Sequence, residues 1–151
     1  MKANSEEIRK RISRFRAGLG RAGVKLTHQR VEIFREVAES VEHPDAETIY
    51  RGVRRRIPTV SLDTVYRTLW LLLDLGLIAT LDPPRERVRF DGNTGPHHHF
   101  VCAKCGMARD FWSEDLDALE LPAAVTKLGR IKQTRVQVTG ICARCMEKNK
   151  R

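Results

Sequence analysis

Cys102-Ala-Lys-Cys105 and Cys142-Ala-Arg-Cys145 hold all four cysteines of this 151-residue chain, and His97-His98-His99 runs directly into the first pair. Two residues between ligands let one tight turn present both sulfurs to a single ion. Two matched pairs therefore read as a tetrahedral zinc site rather than as a redox dithiol or buried free thiols. The stretch between the pairs, residues 106–141, is longer than in compact zinc ribbons. Further strand and helix must fold between the two knuckles, which makes the metal a staple for a whole small domain.

Four thiolates complete a structural zinc shell, so the histidines need a separate explanation. On a strand, side chains alternate, placing His97 and His99 on one face and His98 on the other, where it is expected to be exposed. Two imidazoles on one face make half a metal site. Asp110 on the next strand, Asp91 at a turn-rich hinge and His43 at a helix junction are the residues that could complete a nitrogen and oxygen shell. Such a shell suits Fe2+, Mn2+ or Zn2+, although a lone His or Asp is more often a cap or a surface charge.

The elements that must position these groups are legible from periodicity. Ile8, Ile12, Phe15 and Leu19 form one stripe of an amphipathic helix over residues 5–20 whose other faces carry arginines. Thr27 is placed to cap a second helix running to Ser40, with Val31, Phe34, Val37 and Ala38 inward. Asp45 caps a third over about 46–56, and Ser61 a fourth over 62–75, with Val65, Leu69, Leu72 and Leu73 inward and Gly76 at its stop. Extended runs at 77–81 and 87–90, joined through 82–86, predict a hairpin. Helices followed by a hairpin make a winged helix. Residues 91–96 are dense in turn formers and are expected to be a hinge. Beyond it the pattern predicts strands at 98–102 and 107–112, helical turns over 114–128 capped by Ser113 and broken near Pro122, and a strand over 131–140. The fold class is thus α+β: a winged-helix domain over 1–90, the hinge at 91–96, and a small α/β domain over 97–151.

Charge adds a partner. The chain carries a formal +9, and residues 1–30 alone hold nine Lys and Arg against two Glu. A basic surface of this kind favours a polyanion, and a winged helix supplies the element to read it. The fourth helix is the one expected in the major groove, with Ser61, Asp63, Thr64, Tyr66, Arg67 and Thr68 as its polar early positions. Ser61, Thr64, Tyr66 and Arg67, with Lys25 just ahead of the second helix and Arg30 in its first turn, form the expected DNA-binding set. Arg54, Arg55, Arg56 and the first helix add phosphate neutralisation. The longest apolar run, at 69–73, is far too short to span a bilayer, and the N-terminus lacks the apolar stretch of a signal peptide, so a cytoplasmic location with no membrane partner is expected. A metal-dependent hydrolase is disfavoured, since there is no His-Glu-x-x-His, no activated nucleophile and no spare carboxylate placed as a base. A metal-insensitive architectural DNA binder is a further alternative.

Taken together, Gly-Val-Lys-Leu-Thr-His-Gln-Arg (23–30), His43-Pro44, Ser-Leu-Asp-Thr-Val-Tyr-Arg-Thr-Leu (61–69), Arg-Phe-Asp (89–91), His-His-His-Phe-Val-Cys-Ala-Lys-Cys-Gly (97–106) and the final Cys-Ala-Arg-Cys resemble the ferric uptake regulator superfamily. The resemblance implies a homodimeric winged-helix repressor, not an enzyme, that binds a pseudo-palindromic operator in double-stranded DNA through two N-terminal domains. The C-terminal domain dimerises. It implies structural Zn2+ on Cys102, Cys105, Cys142 and Cys145, and a regulatory site on His43, Asp91, His97, His99 and Asp110 that takes Fe2+ or Mn2+, with Zn2+ as an option. Iron-uptake members typically carry glutamates where this chain has Asp91 and Asp110. The chain is therefore most similar to the peroxide-stress branch, in which His43 and His97 are the expected sites of oxidation. The alternative is an iron- or zinc-responsive regulator that does not sense peroxide. No small-molecule substrate beyond metal and peroxide is expected. His28 and the long basic first helix depart from the common pattern, and Thr134 stands where an accessory-site histidine is often found.

Overall fold

A computed structural model describes residues 4–81 and 87–148 and divides into two compact units, Met1–Thr94 and Gly95–Arg151. The first contains α1 (Ser5–Arg21), α2 (His28–Glu39), α3 (Ala46–Arg54) and α4 (Leu62–Asp74), followed by β1 (Ala79–Leu81) and β2 (Arg89–Asp91), paired antiparallel. This is the expected helices-then-wing order. The residues expected to join the hairpin, 82–86, lie outside those described. Local chemistry fixes the helix starts, because the side chains of Thr27, Asp45 and Ser61 each accept from the backbone N–H three residues on. Each such cap contributes about 1 kcal/mol.

The apolar stripes meet where periodicity placed them. Phe15 of α1 stacks on Phe34 of α2 with centroids 4.4 Å apart, and Ile33, Val37, Ile49, Val53, Val65, Leu69, Leu72 and Phe90 complete a fully buried core. Burying each of these side chains contributes roughly 1.5–3 kcal/mol, so the core and not helix propensity holds the unit together. Buried Arg11 ties α1 to the end of α2 by donating from Nη1 to the Ala38 carbonyl at 3.0 Å. Two expectations change. Thr68 is 6% exposed and belongs to the inner face of α4, so it has no access to a DNA groove. Arg56 is held by Glu32 and by Glu36 at 2.7 Å, which makes it a lock between α2 and the end of α3 rather than a free phosphate ligand.

Gly92 follows β2 directly and lies against the end of α2. A Cβ there would sit 3.0 Å from the Ala38 Cα and 3.1 Å from the Val37 carbonyl oxygen, both backbone atoms that cannot swing aside. Gly92→Ala is expected to cost about 1–3 kcal/mol through overpacking. Thermal unfolding followed by circular dichroism should show a melting point several degrees lower; an unchanged one would mean that β2 has room to move.

The second unit has β3 (His98–Cys102), β4 (Ala108–Phe111), α5 (Glu114–Asp117), α6 (Ala123–Thr126), β5 (Gln137–Gly140) and α7 (Ala143–Lys148). Its sheet order is β4-β3-β5, antiparallel on one side of β3 and parallel on the other. Ser113 caps α5 as expected, and Pro122 stands at the start of α6, breaking the two helical turns apart. The strand expected over 131–140 is only its last four residues. Residues 131–136 are outside any strand, and Cys145 lies on α7, a helix that the sequence pattern does not mark. Among the described residues no helix is long and apolar enough to cross a membrane.

Candidate metal centres

In the second unit the four cysteines converge, their sulfurs all within 4.8 Å of one another. The turn after β3 brings Cys105 back beside Cys102, through a Gly106 N–H to Cys102 carbonyl bond of 2.9 Å and a left-handed Gly106 at φ 72°. The end of β5 delivers Cys142, and the first turn of α7 delivers Cys145. Cys105 Sγ and Cys142 Sγ are 3.7 Å apart. That is far beyond disulfide bonding, whereas a tetrahedral zinc shell with bonds of about 2.3 Å separates its sulfurs by about 3.8 Å. The backbone N–H groups of Cys142 and Cys105 aim at the Cys102 sulfur, the former at 3.3 Å, and hold its thiol down to about 6. Burial and the neighbouring sulfurs push Cys145 up to about 12. Four thiols so close cannot all ionise unaided, and a divalent cation is what lets them do so. The donor set fits Zn2+.

The same unit gathers three of the other predicted ligands. His97 Nδ1 lies 2.8 Å from the Gly95 carbonyl oxygen. A carbonyl only accepts, so Nδ1 carries the proton and the Nε2 lone pair is presented inward. His97 Nε2 and His99 Nε2 are 3.1 Å apart, confirming that the two rings share a face. Asp110, opposite His99 in the β3–β4 register, places Oδ1 at 3.4 Å from His99 Nε2 and 3.9 Å from His97 Nε2. Donors bound to one ion at about 2.1 Å stand roughly 3.0–3.5 Å apart, so this trio is close to a facial half-shell.

His98 is not the exposed strand residue expected from alternation. It is 0% exposed. Its Nδ1 accepts from the Val136 N–H at 3.1 Å, so Nε2 bears the proton, and that atom stands 3.2 Å from Asp117 Oδ1 on α5. The segment entering β5 and the helical turn α5 cover the second face of β3, a long-range arrangement that alternation alone does not reveal.

In the first unit His43 and Asp91 are buried side by side, His43 Nε2 lying 3.8 Å from Asp91 Oδ2. Asp91, read from the sequence as the first residue of the hinge, is the last residue of β2. Its Oδ1 accepts the Asn93 N–H at 2.8 Å, which fixes the carboxylate's orientation. His43 has φ 53°, the one non-glycine residue in the left-handed region among those described. Holding such a conformation costs on the order of 1–3 kcal/mol and marks sites where structure is constrained for function. No pattern in the sequence announces it.

On the expected DNA-reading surface, Ser61 is engaged as the α4 cap and contacts Thr64 Oγ1 at 2.8 Å. Arg67 is exposed and pairs with Asp63 at 2.8 Å, and Tyr66 is exposed on the same helix. Lys25 is exposed, and its carbonyl accepts from Arg30 Nη1. Arg54 donates to the Tyr50 hydroxyl at 3.1 Å.

With a winged helix, a four-thiol centre and clustered imidazoles and carboxylates in view, the molecule belongs among metal-responsive regulators. The Ferric uptake regulator family matches over residues 21–139, and the chain is a member of that family. It is 34% identical over 147 residues to the peroxide-responsive repressor PerR of Staphylococcus epidermidis, covering 97% of this chain and 98% of that one. Among solved structures it is similar to the ferric uptake regulator Fur of Helicobacter pylori, with a TM-score of 0.74 at 20% identity over 97% of each chain, which bears on fold alone. It is also similar to PerR from Streptococcus pyogenes, described for peroxide sensing and gene regulation, with a TM-score of 0.52 at 26% identity over 96% of this chain and 95% of that one.

Proposed function

We propose that the protein is a metal-dependent, DNA-binding transcriptional repressor whose regulatory centre senses peroxide. In this reading Cys102, Cys105, Cys142 and Cys145 hold structural Zn2+, while His43 and Asp91 from one unit and His97, His99 and Asp110 from the other share one regulatory Fe2+ or Mn2+. The winged helix over 1–90 binds a pseudo-palindromic operator, the segment 91–96 is the hinge, and residues 97–151 form the dimerisation domain. Lys25, Arg30, Ser61, Thr64, Tyr66 and Arg67 contact DNA, in the cytoplasm.

The observation that carries the reading is that each unit holds an incomplete donor set, with aspartate as its only carboxylate. Two donors cannot retain a divalent ion at low concentration, and three leave positions open. Joined, the sets restrict the hinge, so that binding of metal tightens binding of DNA and, by linkage, DNA tightens metal by the same factor. The dimer is supported by apolar side chains left at the surface of the second unit, among them Trp112, Val138, Ile141 and Leu128, the last 86% exposed.

Within the regulatory set the chain's residues divide the work. The Gly95 carbonyl fixes the His97 tautomer, and the Asn93 N–H fixes Asp91. Aspartate at 110 is one methylene shorter than glutamate and reaches less far toward the ion. Fe2+ held there would supply the one-electron chemistry by which peroxide could oxidise an adjacent imidazole. Treating the Fe2+-loaded protein with dilute peroxide should add one oxygen to peptides containing His43 or His97 and release the operator. Unmodified histidines with intact DNA binding would overturn peroxide sensing and leave an iron- or zinc-responsive regulator.

A further inference from the structure

Arg89 does more than begin strand β2. In an extended chain successive carbonyls point to opposite sides, but the left-handed turn at His43 brings the carbonyls of Glu42 and His43 to the same side. One guanidinium meets both: Arg89 Nε donates to the His43 carbonyl at 2.6 Å and Nη2 to that of Glu42. Around this clamp the chain is laid along β2, with the Phe90 N–H donating to the Pro44 carbonyl at 2.9 Å and Asp45 bridging antiparallel to Arg89. Two residues further along the same strand is Asp91, whose carboxylate faces His43.

We infer that Arg89 is a positioning residue for the regulatory metal: it holds His43 in its left-handed turn and so sets the His43 imidazole against Asp91. The inference rests on the proposed regulatory site. Arg89 itself takes no place in the shell, because its planar fork is occupied by the two carbonyls. Lysine would not replace it, since an ammonium is a point donor and cannot span two acceptors in one plane. Without the clamp the turn is free to relax to negative φ, which swings the imidazole away from Asp91 while the core built by Phe90, Phe34 and Leu69 is untouched.

The test is to titrate the zinc-loaded, full-length protein with Mn2+, and with Co2+ as a spectroscopic probe, in wild type, Arg89→Gln, Arg89→Lys, His43→Asn and the Arg89→Gln/His43→Asn double variant. Both single arginine variants should keep structural zinc and bind Mn2+ about 10–100-fold more weakly, the range for partners that orient a ligand, with an altered Co2+ absorption. If glutamine impairs folding, the lysine variant carries the comparison. Because Arg89 acts through His43, Arg89→Gln should add little to the loss already caused by His43→Asn. Wild-type affinity with an unchanged Co2+ spectrum, or an equally large further loss in the His43→Asn background, would overturn the inference. Unaltered Mn2+ binding by His43→Asn alone would instead overturn the regulatory site on which it stands.

Discussion

Removing zinc, by exhaustive chelation or by Cys142→Ser, is expected to unfold the second unit while leaving the first intact. One core cluster of that unit consists of Cys102, Cys142 and Cys145, with Phe100 and Met107 packed against them. Large apolar side chains that would build an ordinary core, such as Trp112, Leu119 and Leu128, are exposed. A unit of this size buries only a marginal core, and here the apolar side chains that could enlarge it are at the surface, whereas structural zinc in small domains contributes about 10–16 kcal/mol. Amide exchange should show β3, β4 and β5 losing protection on zinc removal, while the helices of the first unit, with Phe15, Phe34, Leu69 and Leu72 at their centre, unfold cooperatively on their own. The protein should also become monomeric. Retained protection in β3 and β5 in demonstrably zinc-free protein would show that the cysteines are only a packed thiol cluster.

The second large effect is expected from His43→Asn. Asparagine tolerates the left-handed backbone that His43 adopts at φ 53°, so the turn survives and only the imidazole is lost. Operator affinity without regulatory metal should match wild type without metal. The increase produced by Mn2+ or Fe2+, typically 5–150-fold for a coupled site, should vanish. Fluorescence anisotropy with labelled operator across a Mn2+ titration measures both quantities. A variant that still tightens on DNA with undiminished metal response would place the switch entirely within His97, His99 and Asp110. A variant weak on DNA even without metal would show His43 acting through fold rather than ligation.

How far the sequence reaches is set by the range of the interactions that decide each feature. The helix starts at Thr27, Asp45, Ser61 and Ser113 were readable because a cap is closed within three residues. The buried stripes were readable because helical period and core contact are the same fact. His97 and His99 share a face because strand alternation is local. What was not readable depends on partners far along the chain. His98 is buried by Val136 and Asp117, Arg56 is captured by Glu32, and the left-handed His43 is clamped by Arg89, 46 residues away. The shortness of β5 follows from its pairing. Its four residues match His99, Phe100, Val101 and Cys102 and no others, so the residues before it have no strand to join.

That pairing ties the two centres to a single strand. β3 begins in the histidines and ends in Cys102, Cys102 lies opposite Gly140, and the chain leaves β5 straight into Cys142. An ion bound by both Cys102 and Cys142 would therefore pin the register of β3 against β5, where a slip by one residue would turn every side chain of β5 to the other face. The consequence is an order of loading. In the proposed function, where zinc folds the unit that carries β3, the thiol centre would be filled before the imidazole centre has a shape, and a newly made chain would gain its power to sense only after acquiring zinc. Apparent loss of regulation in zinc-starved cells would then be a failure of maturation rather than a signal.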